Sequence, residues 1–424
     1  MELTSWLNKL VIVLLLLTAL SEASHSQELK LEEIQLKARQ HYPLSRRKDL
    51  LDQTREINIA NLAKGYLPQV VINGQASYQS DVTMVNIPVP GVSIEPQAKD
   101  QYKLTADLNQ LIFDGGVINE SQKISSLNTD VMQKQLEVEL YQLRERINQV
   151  YLTILYVDEQ LKQLQLIEKD IRTGIAKTQA QVNNGMVLRS NLDVLQAELL
   201  KQEQRVIELN ASREGLLKSL SLLTGETISP ASTLTKPATP ELSSEVHRPE
   251  LSLFESQLKV LDQQKRLLNA KNLPRLSAFG QGGYGRPGLN MLDNQFDWFY
   301  IAGLRLNWSL GGLYQLKNEK KLLNLEKNTV ALQQETFLLN NETQLNQVAA
   351  DIKKQLLLVK SDEQIIALRE KITTAARAQL ENGVITANDY LREINALDQA
   401  RQSLILHELQ LLQAQINYQN LTGI

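Results

Sequence analysis

Apolar residues recur in alternating steps of four and three at Leu136, Leu140, Leu143, Ile147, Val150, Ile154, Val157, Leu161 and Leu164. Such a stripe runs the length of a helix and requires a second helix to cover it. Leu338, Leu345, Ile352, Val359 and Ile366 keep a strict seven-residue repeat. Leu192, Leu195, Leu199, Val206, Leu209, Leu216, Leu220 and Leu223 fit the same grid, with Gln202 and Arg213 as polar occupants. A helix from Gly116 to Val182 would be ~100 Å long at ~1.5 Å per residue. Asn183-Asn184-Gly185 and Asn382-Gly383 supply turns that fold each long helix back as an antiparallel hairpin.

The chain also contains itself twice. Pro43, Leu67-Pro68, Gly74-Gln75 and Tyr78 recur as Pro249, Leu273-Pro274, Gly280-Gln281 and Tyr284, at a constant offset of 206. Gly115-Gly116 recurs as Gly311-Gly312 at offset 196. Asn184-Gly185 and Leu223-Thr224-Gly225 return as Asn382-Gly383 and Leu421-Thr422-Gly423 at offset 198. Ordered anchors at near-constant spacing indicate a repeat. The expected organisation is a first copy at 27–225, a Ser/Thr/Pro-rich linker at 226–247 and a second copy at 248–424.

Each copy reads helix, strand, strand, helix, helix. Helices are expected at 44–64 and 250–271, each stopped by Leu-Pro. Period-two alternation follows, with strands at about 67–79, 101–113, 274–284 and 298–309. Val70, Ile72, Gly74, Ala76 and Tyr78 share one face; Gln69, Asn73, Gln75 and Ser77 share the other. The long helices are expected at about 116–182, 188–224, 312–381 and 386–422. Pro68, Gly115, Gly116, Pro274, Gly311 and Gly312 mark the strand–helix junctions. The glycine-rich run Gly280 to Gly285 could suggest a phosphate loop. It sits inside an alternating strand, where glycine instead allows close strand approach.

The N-terminus reads as a cleaved export signal, residues 1–26: Lys9, an eleven-residue run from Leu10 to Leu20, then Ala23, Ser24 and Ser26. Such a run is too short to span a bilayer, which needs roughly 20 residues. No later stretch is long and apolar enough, so membrane entry would be by strands. With 45 basic and 48 acidic residues, the charge gives no case for nucleic acid. The absence of Cys excludes disulfides, thiolate metal sites and a lipidated N-terminal Cys. Four His without ligand spacing argue against a zinc enzyme. No catalytic set stands out, so neither enzymatic activity nor a cofactor is expected.

A membrane barrel needs apolar residues outward, polar residues inward and at least eight strands. Four strands cannot close alone. Two copies would give eight strands and a filled lumen, three copies twelve and a water-filled one. Tyr78, Tyr102, Tyr284, Trp298, Tyr300 and Trp308 suit interfacial girdles, although aromatics favour strands in any case. The inserts at 80–100 and 285–297 would then face outside the cell. Two other classes remain open: a periplasmic coiled-coil tether without a pore, and an exported enzyme or binding module using a cleft between the copies.

The duplicated plan resembles the TolC-like outer-membrane efflux protein family. The residues that carry this are Leu67-Pro68-Gln69, Leu108 through Phe113-Asp114-Gly115-Gly116, Asp193 through Glu198, Arg248-Pro249-Glu250-Leu251 and Leu421-Thr422-Gly423. The resemblance implies a mainly α fold with a membrane β-barrel part: a homotrimer with a twelve-stranded barrel in outer-membrane lipid and an α-barrel in the periplasm. It implies docking to a periplasmic adaptor (membrane fusion) protein and an inner-membrane pump, as the exit duct of an efflux or type I secretion system. Drug, metal and protein export share that design.

In the family the hairpin tips close the periplasmic entrance and meet the adaptor. The matching tips here are Gly185, Met186, Val187, Leu188, Arg189 and Ser190, with Gly383, Val384, Ile385 and Thr386. Asp389 matches an aspartate that rings the entrance in the best-known member, and Arg392 stands where that member has a second aspartate. Asp389, Arg392 and Asp193 are therefore the candidate gate residues. Arg392 is expected to pair across helices and hold the tips shut. A plainer role for Asp389 is a helix-start carboxylate favoured by the helix dipole.

Overall fold

The computed structural model describes residues 28–84, 96–240, 243 and 245–423. The expected export signal and part of the first insert lie outside the described residues. In chain order the elements are β1 (Glu28–Leu29), α1 (Leu31–His41), α2 (Arg47–Ala63), β2 (Gln69–Tyr78), β3 (Asp100–Phe113), α3 (Val117–Asn183) and α4 (Arg189–Thr224). They continue with β4 (Thr233–Leu234), α5 (Pro249–Lys271), β5 (Arg275–Arg286), β6 (Asp297–Asn307), α6 (Gly312–Glu381) and α7 (Ala387–Thr422). The chain is mainly helical and divides into two compact units. Among the described residues, one unit holds those of 47–136 and 250–336, and the other those of 28–46, 137–249 and 337–423.

The first unit contains a four-stranded sheet of order β2-β3-β5-β6, antiparallel throughout. Its register aligns the alternation of all four strands. Val70 pairs with Leu108, Leu108 with Gly280, and Gly280 with Ala302; Ala76 pairs with Tyr102, and Tyr284 with Trp298. One face therefore carries Val70, Ile72, Tyr78, Tyr102, Leu104, Leu108, Tyr284, Trp298, Tyr300, Leu304 and Leu306. That face is bare: Ile72 is 73% and Tyr300 81% exposed. The opposite face is mostly polar. There Asn73 and Gln281 donate to the Asp107 carboxylate at 2.6 and 2.5 Å. Gly283 and Gly285 permit the tight strand approach: a Cβ on Gly283 would lie 2.8 Å from Leu104 O, and one on Gly285 2.7 Å from Tyr102 O.

The second unit is built from helices. One apolar cluster joins Leu31, Ile34 and Ala38 of α1 to Leu143, Ile147, Tyr151 and Ile154 of α3, Leu217 and Leu220 of α4, and Leu409, Leu412 and Ile416 of α7. Helix α1 is an addition to the expected plan. Its 11 residues bury only Leu31, Ile34 and Ala38, one turn apart along one face, with Glu32 and Glu33 in the first turn and Arg39 and His41 in the last. A second addition is the parallel pair β1–β4. The Tyr151 hydroxyl lies 2.6 Å from Leu29 O and 2.7 Å from Thr235 O, locking that pair onto α3. Burial pushes the Tyr151 phenol pKa well up, so it stays a neutral donor. Arg213 donates to Asp158 at 2.5 Å and to Ser232 O at 2.8 Å, fastening the segment after α4.

Candidate functional site

The two helix turns in the second unit share one backbone design. Gly185 N donates to Val182 O at 3.0 Å and Met186 N to Gln181 O at 2.8 Å. Gly383 N and Val384 N repeat this on Leu380 O and Gln379 O, at 3.0 and 2.8 Å. Both glycines take the left-handed conformation, φ +69° and +68°, which a Cβ would penalise. Each turn thus satisfies carbonyls that a helix end leaves free. Met186, Leu188 and Val384 are exposed, whereas Val187 and Ile385 are half-buried.

The restart after each turn differs. Thr386 caps α7: its hydroxyl accepts from Asp389 N at 3.2 Å, and the Asp389 carboxylate accepts from Thr386 N at 3.2 Å and from the Thr386 hydroxyl at 2.7 Å. Those bonds, together with Arg392, hold the Asp389 carboxyl below the ordinary aspartate range. Helix α4 starts at Leu188, which has no side-chain cap. Arg392 donates to Asp389 at 2.5 Å, three residues along the same helix. The pairing expected across helices is therefore local, because neighbours at i and i+3 share a helix face. Asp193 sits exposed on α4, outside this pair.

Links between the hairpins come from other residues. Gln181 of α3 donates to Leu380 O and Glu381 O, both at 3.1 Å, at the end of α6. Lys177 pairs with Glu381. Arg377 of α6 donates to Asp170 of α3 at 2.6 Å and to the Tyr390 hydroxyl at 3.3 Å. Tyr390 is buried in a cluster with Leu164, Ile167, Ile171, Leu195, Leu380, Leu391 and Ile394. Sequence reasoning passed over Gln181 and Arg377; each looks like an ordinary helix-surface residue, with partners some 200 positions away.

The junctions show how far the duplication extends. Gly115 and Gly116 are left-handed, and Asp114 accepts from Gly116 N at 2.8 Å and Ile118 N at 2.6 Å, capping α3. Leu310 occupies the matching place before Gly311-Gly312, and neither of those glycines has positive φ. Both junctions are nonetheless closed in one manner. Gln110 donates to Tyr66 O at 2.9 Å, just before Pro68, and the Trp308 indole donates to Asn272 O at 3.0 Å, just before Pro274.

Residues 50–226 match the family model described as outer membrane efflux protein. Among solved structures, the outer membrane protein VceC from Vibrio cholerae aligns with TM-score 0.66 and 14% identity, covering 93% of this chain and 96% of its own. CusC, whose structures concern folding and transmembrane channel formation, aligns with TM-score 0.69 and 13% identity over 95% of both chains. The outer membrane channel CmeC of Campylobacter jejuni aligns with TM-score 0.65 and 14% identity, covering 93% of this chain and 85% of its own. No curated protein sequence matches the chain significantly. The resemblance to the TolC-like outer-membrane efflux family therefore holds, in sequence over residues 50–226 and in fold over nearly the whole chain.

Proposed function

We propose that this chain is the exit duct of a tripartite efflux or secretion system, with its sheet in the outer membrane and its long helices in the periplasm. The observation that carries this reading is the four-stranded sheet. One face is apolar and largely exposed, the other is mostly polar, and its outermost strands, β2 and β6, each have one partner among the described residues. Aromatics stand near both ends of the strands: Tyr78, Tyr102, Tyr284 and Trp298 toward the connecting loops, and Phe113 and Trp308 toward the helices. A sheet of this kind suits lipid on one side and water on the other once it is closed. Three copies would supply twelve strands, and the family resemblance supports that number. The exposed Met186, Leu188 and Val384 suit an adaptor contact, while Asp389, Arg392 and Asp193 would stand near the entrance.

Chemical cross-linking of outer-membrane fractions should yield a trimer. A cysteine at Asn290 should react with an impermeant thiol reagent on intact cells, since the parent has no thiol. Recovery as a soluble periplasmic monomer would favour a tether without a pore and end the channel reading.

A further inference from the structure

Five ionic side chains occupy the polar face of the sheet: Lys103, Asp107, Arg275, Asp297 and Arg305. None has an ion-pair partner among the described residues. The strand register sets them at distinct levels. Asp107 is opposite Gln281, Arg305 is opposite Ser277, and Gly285 lies between Lys103 and Asp297. At ~3.3 Å per residue, the Arg305 level lies ~13 Å from that of Asp107 toward the helices. The level of Lys103 and Asp297 lies ~13 Å the other way, toward the loops. There the two opposite charges offset each other. Asp107 stands alone at its level, and Arg305 has Arg275, of the same sign, ~7 Å further toward the helices.

Both are held by neutral groups. Asn73 on β2 and Gln281 on β5 donate to Asp107 at 2.6 and 2.5 Å, and the Thr105 hydroxyl at 3.3 Å. Neutral donors fix the carboxylate across three strands and no ion pair neutralises it, while Lys103 attracts it from four residues along the same strand face. Arg305 lies 4.6 Å over the Phe279 ring, which likewise leaves the guanidinium charge intact. Asp389 differs: one oxygen serves the helix cap and the other is paired with Arg392.

We propose that Asp107 and Arg305 form two lumen rings of opposite sign that set the small-ion selectivity of the duct, Asp107 favouring cations and Arg305 opposing them. This rests on the channel reading above, in which the polar face lines the lumen. Twelve strands ~4.8 Å apart and tilted ~40° close a ring ~24 Å across. The wall is then ~12 Å from the axis, close to the screening length of ~8–10 Å at 0.1–0.15 M salt. Charges standing inward from the wall thus act across the whole section, and more strongly in dilute salt.

The test is the reversal potential of the full-length protein in planar bilayers under a KCl gradient between ~10 and ~100 mM, where screening is weak. Asp107→Asn should lower the cation-to-anion permeability ratio by about twofold or more, and Arg305→Gln should raise it comparably. At ~1 M KCl, where screening falls to ~3 Å, both lumen variants should conduct like the parent, which separates a charge effect from a misfolded barrel. A conducting parent whose Asp107 and Arg305 variants keep its reversal potential overturns the rings and leaves the duct standing. A parent that reconstitutes as an oligomer yet never conducts overturns both.

Discussion

Helices α3 and α6 are nearly equal in length, 67 and 70 residues, and both carry heptads, yet their apolar residues meet different fates. In the helical unit α3 buries Leu143, Ile147, Ile154, Leu164, Ile167 and Ile171 against α1, α4, α6 and α7. Over residues 337–381, α6 buries only Ile352, Ala376 and Leu380 among its apolar side chains, while Leu338, Leu339, Leu356, Leu357, Ile365, Leu368 and Ile372 stay exposed. Ile154 is fully buried, whereas Leu339 is 63% exposed. One chain completes the stripe of α3; on α6 it buries Ile352 and half-buries Leu345, Val359 and Ile366 of the heptad set, and the apolar residues left open lie mostly beside that set. The heptads thus mark packing within the protomer on both helices, and under the proposed assembly the open residues beside the α6 heptad would form a seam between copies.

The contrast can be broken from either side. Placing Leu339→Glu and Leu357→Glu together on α6 should abolish the oligomer while leaving helix content unchanged, as read by cross-linking and circular dichroism. Preserved assembly would mean that this stripe faces water. On α3, Ile154→Ala should cost ~2–5 kcal/mol in denaturant unfolding, whereas Leu357→Ala should change the unassembled chain by no more than ~0.5 kcal/mol. Thr386→Ala removes the cap of α7 and should cost ~1 kcal/mol, raising amide exchange at residues 387–389. The uncapped start of α4 should exchange faster than that of α7 in the parent, and Leu188→Ser should narrow the difference. The smallest effect concerns Asp398 of α7, buried with Gln402 donating at 2.6 Å and Arg205 only 3.7 Å away. Burial raises its pKa, so the folded chain binds this proton more tightly than the unfolded one. Its stabilising contribution is complete below the ordinary value of ~3.9 and is lost as pH rises through the elevated one. Asp398→Asn should accordingly raise the thermal midpoint at neutral pH and flatten its pH dependence.

What the sequence showed follows from the length of each signal. Heptads running from Leu136 to Leu164 fix a helix because every turn repeats the same demand, and α3 spans Val117–Asn183. Strand alternation was equally readable, since one face of the sheet stays apolar for the whole length of β6. The pairing of β1 with β4 was not, because two residues carry no period. Helix α1 offers three apolar positions among eight others that are almost all polar or charged. The paired glycines at 115–116 and 311–312 look alike in sequence, yet only the first pair follows an aspartate that caps the next helix. At the tips, the turn glycines were legible from Asn-Gly. Gln181 and Arg377 were not, since their partners are fixed only once the two hairpins lie side by side.

The outermost strands of the sheet carry a consequence for inheritance and expression. Because β2 and β6 occupy opposite ends of the strand order, a closed ring would join the β2 of one copy to the β6 of the next, antiparallel like the other pairs. Each copy in a three-membered ring is then indispensable twice, once for each neighbour it completes. A variant with β2 blocked by proline but its helices intact would still enter rings and spoil them. Expressed in equal amount beside the parent, it would leave about one ring in eight free of a defective copy, so the allele would act as a dominant poison where a simple null would not.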